Sequence, residues 1–164
     1  MIVDNGFAMT LKLIFAEATI SQHAEIDRLM LNAFTPYVQK LDGGPVSGPY
    51  PWLEAAIISG VVFVALEQTQ VVGVVTTSCR GDEFFIDQLG VDPEYQGRGI
   101  GSWLLNQIEQ IARQNKMKKL TLQTAEIMPD ILRLYNRHGF KKTHEALPDH
   151  GEDNYLRVHM TKML

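Results

Sequence analysis

The sequence predicts an α/β protein on a mixed α+β sheet, with elements in the order β-α-α-β-β-β-α-β-α-β-β, and three observations carry that prediction. Two runs rich in β-branched residues, 61–66 and 71–76, flank the polar stretch Glu67-Gln68-Thr69-Gln70 and read as an antiparallel hairpin. From Gly101 the apolar spacing becomes helical, with Leu104, Ile108, Ile111 and Ala112 on one face. Alternation returns at Leu120-Thr121-Leu122-Gln123-Thr124, so a crossover joins the hairpin section to a later strand.

Taken in order, Lys12-Leu13-Ile14-Phe15-Ala16 is the first strand. Ser21, with Glu25 nearby, opens a helix whose apolar face is Ile26, Leu29, Met30 and Ala33. The stretch 41–49 is dense in Gly and Pro and reads as a loop before a short helix at 52–58. After the hairpin, the turn Arg80-Gly81-Asp82 leads into a strand at 84–91. The helix beginning at Gly101 ends near Lys116, and the basic cluster Lys116, Lys118 and Lys119 suits the negative end of its dipole. Pro129 fits a first helical position, 130–137 continues that helix, and Gly139 stops it as a left-handed cap. Strands at 140–144 and 155–160 then flank the polar loop 148–154.

Length and composition bound the rest. The 164 residues fit one domain, 1–164, with 1–10 as a flexible or extra N-terminal segment. Hydrophobic residues make up 45% and charged residues 21%, a balance that argues against disorder. The single Cys79 excludes an intrachain disulfide and suits a reducing, cytoplasmic setting. The longest apolar stretch, 55–66, is broken by Ser59 and Gly60 and falls short of the roughly 20 residues of a membrane span, so no membrane partner is expected. A net charge of −4 without a basic and aromatic run argues against nucleic acid.

The chemistry is concentrated where a strand feeds a helix through Gln96-Gly97-Arg98-Gly99-Ile100-Gly101. Alternating glycines let backbone amides approach a ligand without Cβ atoms in the way. The helix N-terminus adds roughly half a positive charge, so the segment suits a phosphate or pyrophosphate. It is not a P-loop, because Ser102 follows Gly101 with no lysine. A dinucleotide fingerprint would need its third glycine at position 102 and an acidic residue about twenty residues beyond the first; residues 117–125 contain none.

The segment from Leu89-Gly90-Val91-Asp92-Pro93 through Gly101 resembles the acetyl-CoA-binding motif of the GNAT-type N-acetyltransferase superfamily, Gln/Arg-x-x-Gly-x-Gly/Ala. Leu134-Tyr135-Asn136-Arg137-His138-Gly139-Phe140 resembles that superfamily's second signature at the expected distance, and the strand order fits across roughly residues 10–164. The resemblance implies a GNAT-like acyl-CoA N-acyltransferase fold and transfer of an acetyl group from acetyl-CoA to a primary amine within a ternary complex, without a metal. It also implies that the main chain of Leu89, Gly90 and Val91 holds the pantetheine arm and acetyl carbonyl. The cradle of Gln96, Gly97, Arg98, Gly99, Ile100, Gly101 and Ser102 would then hold the pyrophosphate. Many relatives carry an Asn early in the penultimate helix, where this chain has Met128-Pro129-Asp130-Ile131.

Such a transfer needs a neutral amine, a stabilised oxyanion and a proton for the departing thiolate. Tyr135 matches the family position for the general acid, while its helical face, shared with Ile131 and His138, also fits a core aromatic. Asp87 is a carboxylate among Phe84-Phe85-Ile86, so it must be paired, exposed or facing a cleft, where it could act as base or substrate contact. Glu83, Glu126, His144 and His150 are weaker candidates for that base, and Cys79 reads as a small hydrophobe. By the resemblance, the acceptor pocket lies between the loop before Trp52 and the final β loop, with Tyr37, Trp52 and Gln88, and also Tyr50, as substrate contacts. The acceptor, a small molecule or peptide amine, is left open, as is a homodimer. A catalytically silent acyl-CoA-binding or regulatory module is the competing reading.

Overall fold

The computed structural model of the chain describes residues 11–42, 48–149 and 153–164. The N-terminal segment 1–10, the centre of the loop expected at 41–49, and His150 with its two following neighbours lie outside the described residues. The strands are β1 (Leu13–Glu17), β2 (Val62–Glu67), β3 (Gln70–Arg80), β4 (Glu83–Val91), β5 (Lys119–Ala125), β6 (Lys141–Ala146) and β7 (Arg157–Met163). The α-helices are α1 (His23–Lys40), α2 (Leu53–Ile58), α3 (Ile100–Gln114) and α4 (Pro129–Arg137). The strands form one sheet in the order β1-β2-β3-β4-β5-β7-β6. The α/β element order expected from sequence is therefore the one observed, on a mixed sheet whose parallel pair is β4 with β5.

Alternation along the strands divides the apolar residues between two faces. Val62, Val64, Val71 and Val74 pack with Ile26, Leu29 and Met30 of α1 and with Leu53 and Ile57 of α2. Ala65, Val72, Val75, Phe84 and Ile86 pack instead with Ile100, Leu104, Leu105 and Ile108 of α3. Phe15 stacks on Phe63 at 5.3 Å, fixing the edge strand β1 to β2. A Cβ at Gly73 would lie 2.8 Å from Leu104 Cδ1, so the bare backbone there lets α3 sit close against β3. Leu104 is fully buried, and Leu104→Ala is expected to cost roughly 2–5 kcal/mol of unfolding free energy, as read by urea denaturation.

Two elements run further than the local patterns indicate. The helix expected through Ala33 continues past Pro36 to Lys40. A mid-helix proline removes one backbone hydrogen bond, and here the Thr35 hydroxyl donates to the Leu31 carbonyl at 2.6 Å one turn before it. Strand β3 extends through the polar residues to Arg80, whose guanidinium lies 4.5 Å over the Phe85 ring of β4.

Two irregularities of β4 shape the centre of the molecule. Thr77 pairs with Ile86 but Thr76 with Gln88, which leaves Asp87 as the extra residue of a β-bulge. The bulge switches the parity of the strand: Phe84 and Ile86 face α3 before it, and Leu89 and Val91 pack on that side after it. The second irregularity is a short ladder. β4 pairs with β5 only from Glu83 to Phe85, opposite Lys119 to Thr121, although both strands continue. Beyond Phe85 the strands part, and the sheet opens into a cleft.

Candidate active site

The cleft has a volume of about 1020 Å³ and lies where β4 and β5 separate. One end is built by the turn from β4 into α3. After Val91, a 3-10 turn at Pro93–Tyr95 is capped by the Asp92 carboxylate, which accepts from the Glu94 amide at 2.9 Å. The chain then passes through Gly97 and Gly99 with φ of +77° and +81°, a left-handed conformation that side-chain-bearing residues adopt only at a cost. A Cβ on Gly97 would meet no atom within 4 Å. The first bond of α3 runs from the Trp103 amide to the Gly99 carbonyl, so the amides of Ile100, Gly101 and Ser102 precede the helical ladder. Gly97, Gly99, Ile100, Gly101 and Ser102 all line the cleft, as does Gln96, whose amide nitrogen donates to the Val91 carbonyl at 3.1 Å.

Leu89, Gly90 and Val91 form the floor. A Cβ at Gly90 would lie 3.1 Å from the Phe34 ring, so the bare backbone there lets α1 sit close against β4. Arg98 does not line it. That guanidinium donates to the Glu94 carbonyl and lies 4.8 Å over the Tyr95 ring, so within the cradle segment it braces the turn.

Tyr135 enters from α4. Pro129 begins this helix, and a three-to-four-residue stripe turns Ile131, Leu134 and Tyr135 inward. The ring packs at 5.9 Å on Phe140, just beyond the Gly139 cap at φ +89°. Tyr135 is only 9% exposed, and its hydroxyl, which hydrogen-bonds no other described residue, is not sealed off but opens on the cleft. Burial, followed by the nearby Tyr37, pushes that hydroxyl up to about 12. The sequence left open a core aromatic or a cleft residue; the side chain is both, with a buried ring and a place on the cleft wall.

Tyr37, Asp87 and Gln88 also meet in this cleft. The Tyr37 hydroxyl accepts from the Ala125 amide at 2.9 Å, tying the end of α1 across to β5. Gln88 accepts from the Thr76 hydroxyl at 3.1 Å. Asp87, presented by the bulge, accepts from the Ser78 hydroxyl at 3.1 Å. Partial burial raises its carboxyl above the usual aspartate range, against the opposing pull of Ser78 and Arg80. Trp52 is the candidate that the fold places elsewhere. It is 38% exposed and packs against Tyr50 at 5.6 Å; Tyr50 lines the cleft and Trp52 does not. Among the weaker candidates, Glu83 binds Lys119 at 3.2 Å and Glu126 accepts from the Leu156 amide. His144 stacks on His159 at 4.1 Å.

Several walls of the cleft carry no local sequence signal. Phe34 comes from the part of α1 beyond its expected end, Gln123 from β5, Arg137 from the end of α4 and Arg157 from β7. Arg157 is held by a partly buried pair with Asp153 at 2.7 Å. Among the described residues there is no group of three or more His, Cys, Asp or Glu able to hold a metal ion, and no helix long and apolar enough to cross a membrane.

With this geometry in place, known proteins supply a frame. The chain resembles the probable N-acetyltransferase camello of Xenopus laevis, at 36% identity over 67 residues, 41% of this chain and 31% of that protein. It resembles human N-acetyltransferase 8B at 31% identity over 90 residues, 51% of this chain and 40% of that protein. The matches thus span less than half the length of these curated relatives. In three dimensions it superposes on the PaiA N-acetyltransferase of Thermoplasma acidophilum, solved with coenzyme A, with a TM-score of 0.76 at 15% identity, covering 93% of this chain and 99% of that one. A GNAT-family acetyltransferase of Elizabethkingia anophelis with acetyl-CoA bound gives a TM-score of 0.71 at 20% identity, covering 93% and 98%. These likenesses establish the fold. The acetyltransferase (GNAT) domain model matches residues 59–142, which include the hairpin, the glycine turn and Tyr135, and the chain belongs to the GNAT acetyltransferase family.

Proposed function

We propose that the protein is an N-acetyltransferase that moves an acetyl group from acetyl-CoA to a primary amine by direct attack in a ternary complex. The observation that carries this is the convergence, in one cleft, of the glycine turn at the start of α3, the freed edge of β4 and the Tyr135 hydroxyl. The residues fit the co-substrate: Gly97 leaves open space where a side chain would stand, and the amides of Ile100, Gly101 and Ser102 offer donors for a pyrophosphate. The main chain of Leu89 to Val91 would hold the pantetheine arm. Arg98 would act by bracing the turn rather than by touching phosphate.

The amine nitrogen attacks the thioester carbonyl carbon, the new C–N bond forms, and the C–S bond breaks as its electron pair returns to sulfur. The amine's proton leaves to Asp87, directly or through water, and the sulfur takes the Tyr135 proton. With its pKa near 12, Tyr135 still carries that proton at every pH where an alkyl amine begins to lose its own, around 10. Tyr37, Tyr50 and Gln88 line the same cleft and would be the contacts for the acceptor. A small-molecule or peptide amine fits this reading, in a cytoplasmic setting suited to the free Cys79.

The test is release of free thiol from acetyl-CoA over time with a panel of polyamines, peptides and aminoglycosides. Thermal stabilisation by acetyl-CoA without thiol release for any amine would favour the silent acyl-CoA-binding module. With kcat/KM referred to the neutral form of an accepted amine, which removes the substrate's own titration near 10, the value is expected to fall as pH drops through the raised carboxyl of Asp87, because only the carboxylate accepts a proton. Asp87→Asn should abolish that acidic limb and lower the rate by about 10²-fold, the usual contribution of one acid–base group. A pH–rate profile with its acidic limb intact in the variant would remove Asp87 as the base.

A further inference from the structure

The residue that closes the phosphate cradle from behind is His138. It caps the C-terminal end of α4, and its amide donates to the Tyr135 carbonyl at 3.0 Å. Its Nε2 lies 2.9 Å from the Ser102 hydroxyl oxygen. Ser102 lines the cleft and belongs to the first turn of α3; His138 does not line it. One side-chain hydrogen bond therefore joins the helix carrying Tyr135 to the anion-binding end of the other helix.

The direction of this bond matters chemically. If the hydroxyl donates to an unprotonated Nε2, the serine turns oxygen lone pairs toward any anion in the cradle. If Nε2–H donates to the serine oxygen, the hydroxyl proton is released to point at the anion. An anionic occupant selects the second arrangement, and the imidazolium guarantees it because both ring nitrogens then carry protons. We propose that His138 is a positioning residue for the coenzyme's pyrophosphate, donating from Nε2 to Ser102 so that the serine hydroxyl donates to phosphate, and that protonation of His138 tightens this grip.

The surroundings set the resting state. Burial first, then Lys162 of β7 and Arg137 of α4, hold His138 below the ordinary histidine range, while Glu109 of α3 pulls the other way. Lys162 is itself held by Glu109 at 2.5 Å. In the absence of an anion His138 is thus neutral at pH 7. A pyrophosphate beside Ser102 opposes the two cations and raises the imidazole, so affinity grows as pH falls through its range.

This inference rests on the coenzyme-A reading of the cleft, and dephospho-CoA separates the two. Its pyrophosphate does not titrate between pH 5.5 and 8, whereas a terminal phosphate monoester, with a pKa near 6, would. Affinity is measured by calorimetry at pH 8.0 and 5.5 for the wild type, His138→Gln and Ser102→Ala, each checked for an unchanged melting profile without ligand. The wild type is expected to bind about fivefold more tightly at pH 5.5, the gain of a charge-assisted over a neutral hydrogen bond. His138→Gln keeps a neutral donor, so it should match the wild type at pH 8.0 within about threefold and show no pH dependence. Ser102→Ala should bind more weakly and also lose the pH dependence. A wild type indifferent to pH, or a pH dependence that survives in either variant, overturns the proposal. Failure of both CoA and dephospho-CoA to bind at any pH would instead overturn the coenzyme reading.

Discussion

Replacing Tyr135 with Phe is expected to lower kcat by about 10²-fold or more while leaving coenzyme-A affinity within about threefold, a split typical of losing one proton donor. The physical case is that the substitution removes a single oxygen. The ring, buried against Phe140, keeps its packing, and no described residue loses a hydrogen-bond partner, because the hydroxyl bonds none of them. The folded state should therefore tolerate the change, with a melting temperature within a few degrees of the wild type. What disappears is a proton held at about 12 on the hydroxyl that α4 brings to the cleft wall. The measurements are steady-state thiol release at saturating amine and calorimetric coenzyme-A binding on the same preparations. An unchanged kcat would leave Tyr135 as a core aromatic that borders the cleft.

How much of this was legible in the sequence depended on whether the information was local. The hairpin of β2 and β3 and the apolar stripe of α3 are written in contiguous residues, and the structure follows them within a few positions. The glycine turn is equally local, since its chemistry resides in consecutive backbone amides and in two left-handed glycines. The bulge at Asp87 has no comparable signature. It arises from register between β3 and β4, so the sequence could mark Asp87 as an odd carboxylate without indicating how it is presented. The continuation of α1 past Pro36 is likewise a tertiary result: the last turns bring Tyr37 to the Ala125 amide, a contact that offsets a local helix breaker. Gln123 and Arg157 reach the cleft because β7 lies beside β5 although β6 precedes it in the chain. Trp52 failed as a cleft residue for the converse reason. Lying two residues from Tyr50 does not place a side chain on the same wall, and Tyr50 alone turns toward the cleft.

The second large effect concerns the cradle. Gly99→Val is expected to weaken coenzyme-A binding by more than about tenfold, with a melting temperature lower by only a few degrees. Gly99 caps α3 at φ +81°, where a residue with a Cβ pays about 1–2 kcal/mol and a β-branched one more. The chain can respond in two ways. It can hold the conformation and lose that much stability, worth a few degrees in a protein of this size. Alternatively, it can rotate out of the left-handed region, which swings the amides of Gly99 and Ile100 away from a common point. A β-branched residue favours the second route, and that route costs binding, since an anion would be held here by the joint aim of several amides rather than by one charge. Gly101→Ala is the matching control. Gly101 lies within α3, and its added Cβ would meet Leu89 Cδ2 at 3.8 Å, an ordinary contact, so alanine should fold at least as well. If Gly99→Val bound coenzyme A as the wild type does, the conformation of this turn would not be what holds the pyrophosphate. The donors would then have to be sought among side chains such as Ser102 and Arg137.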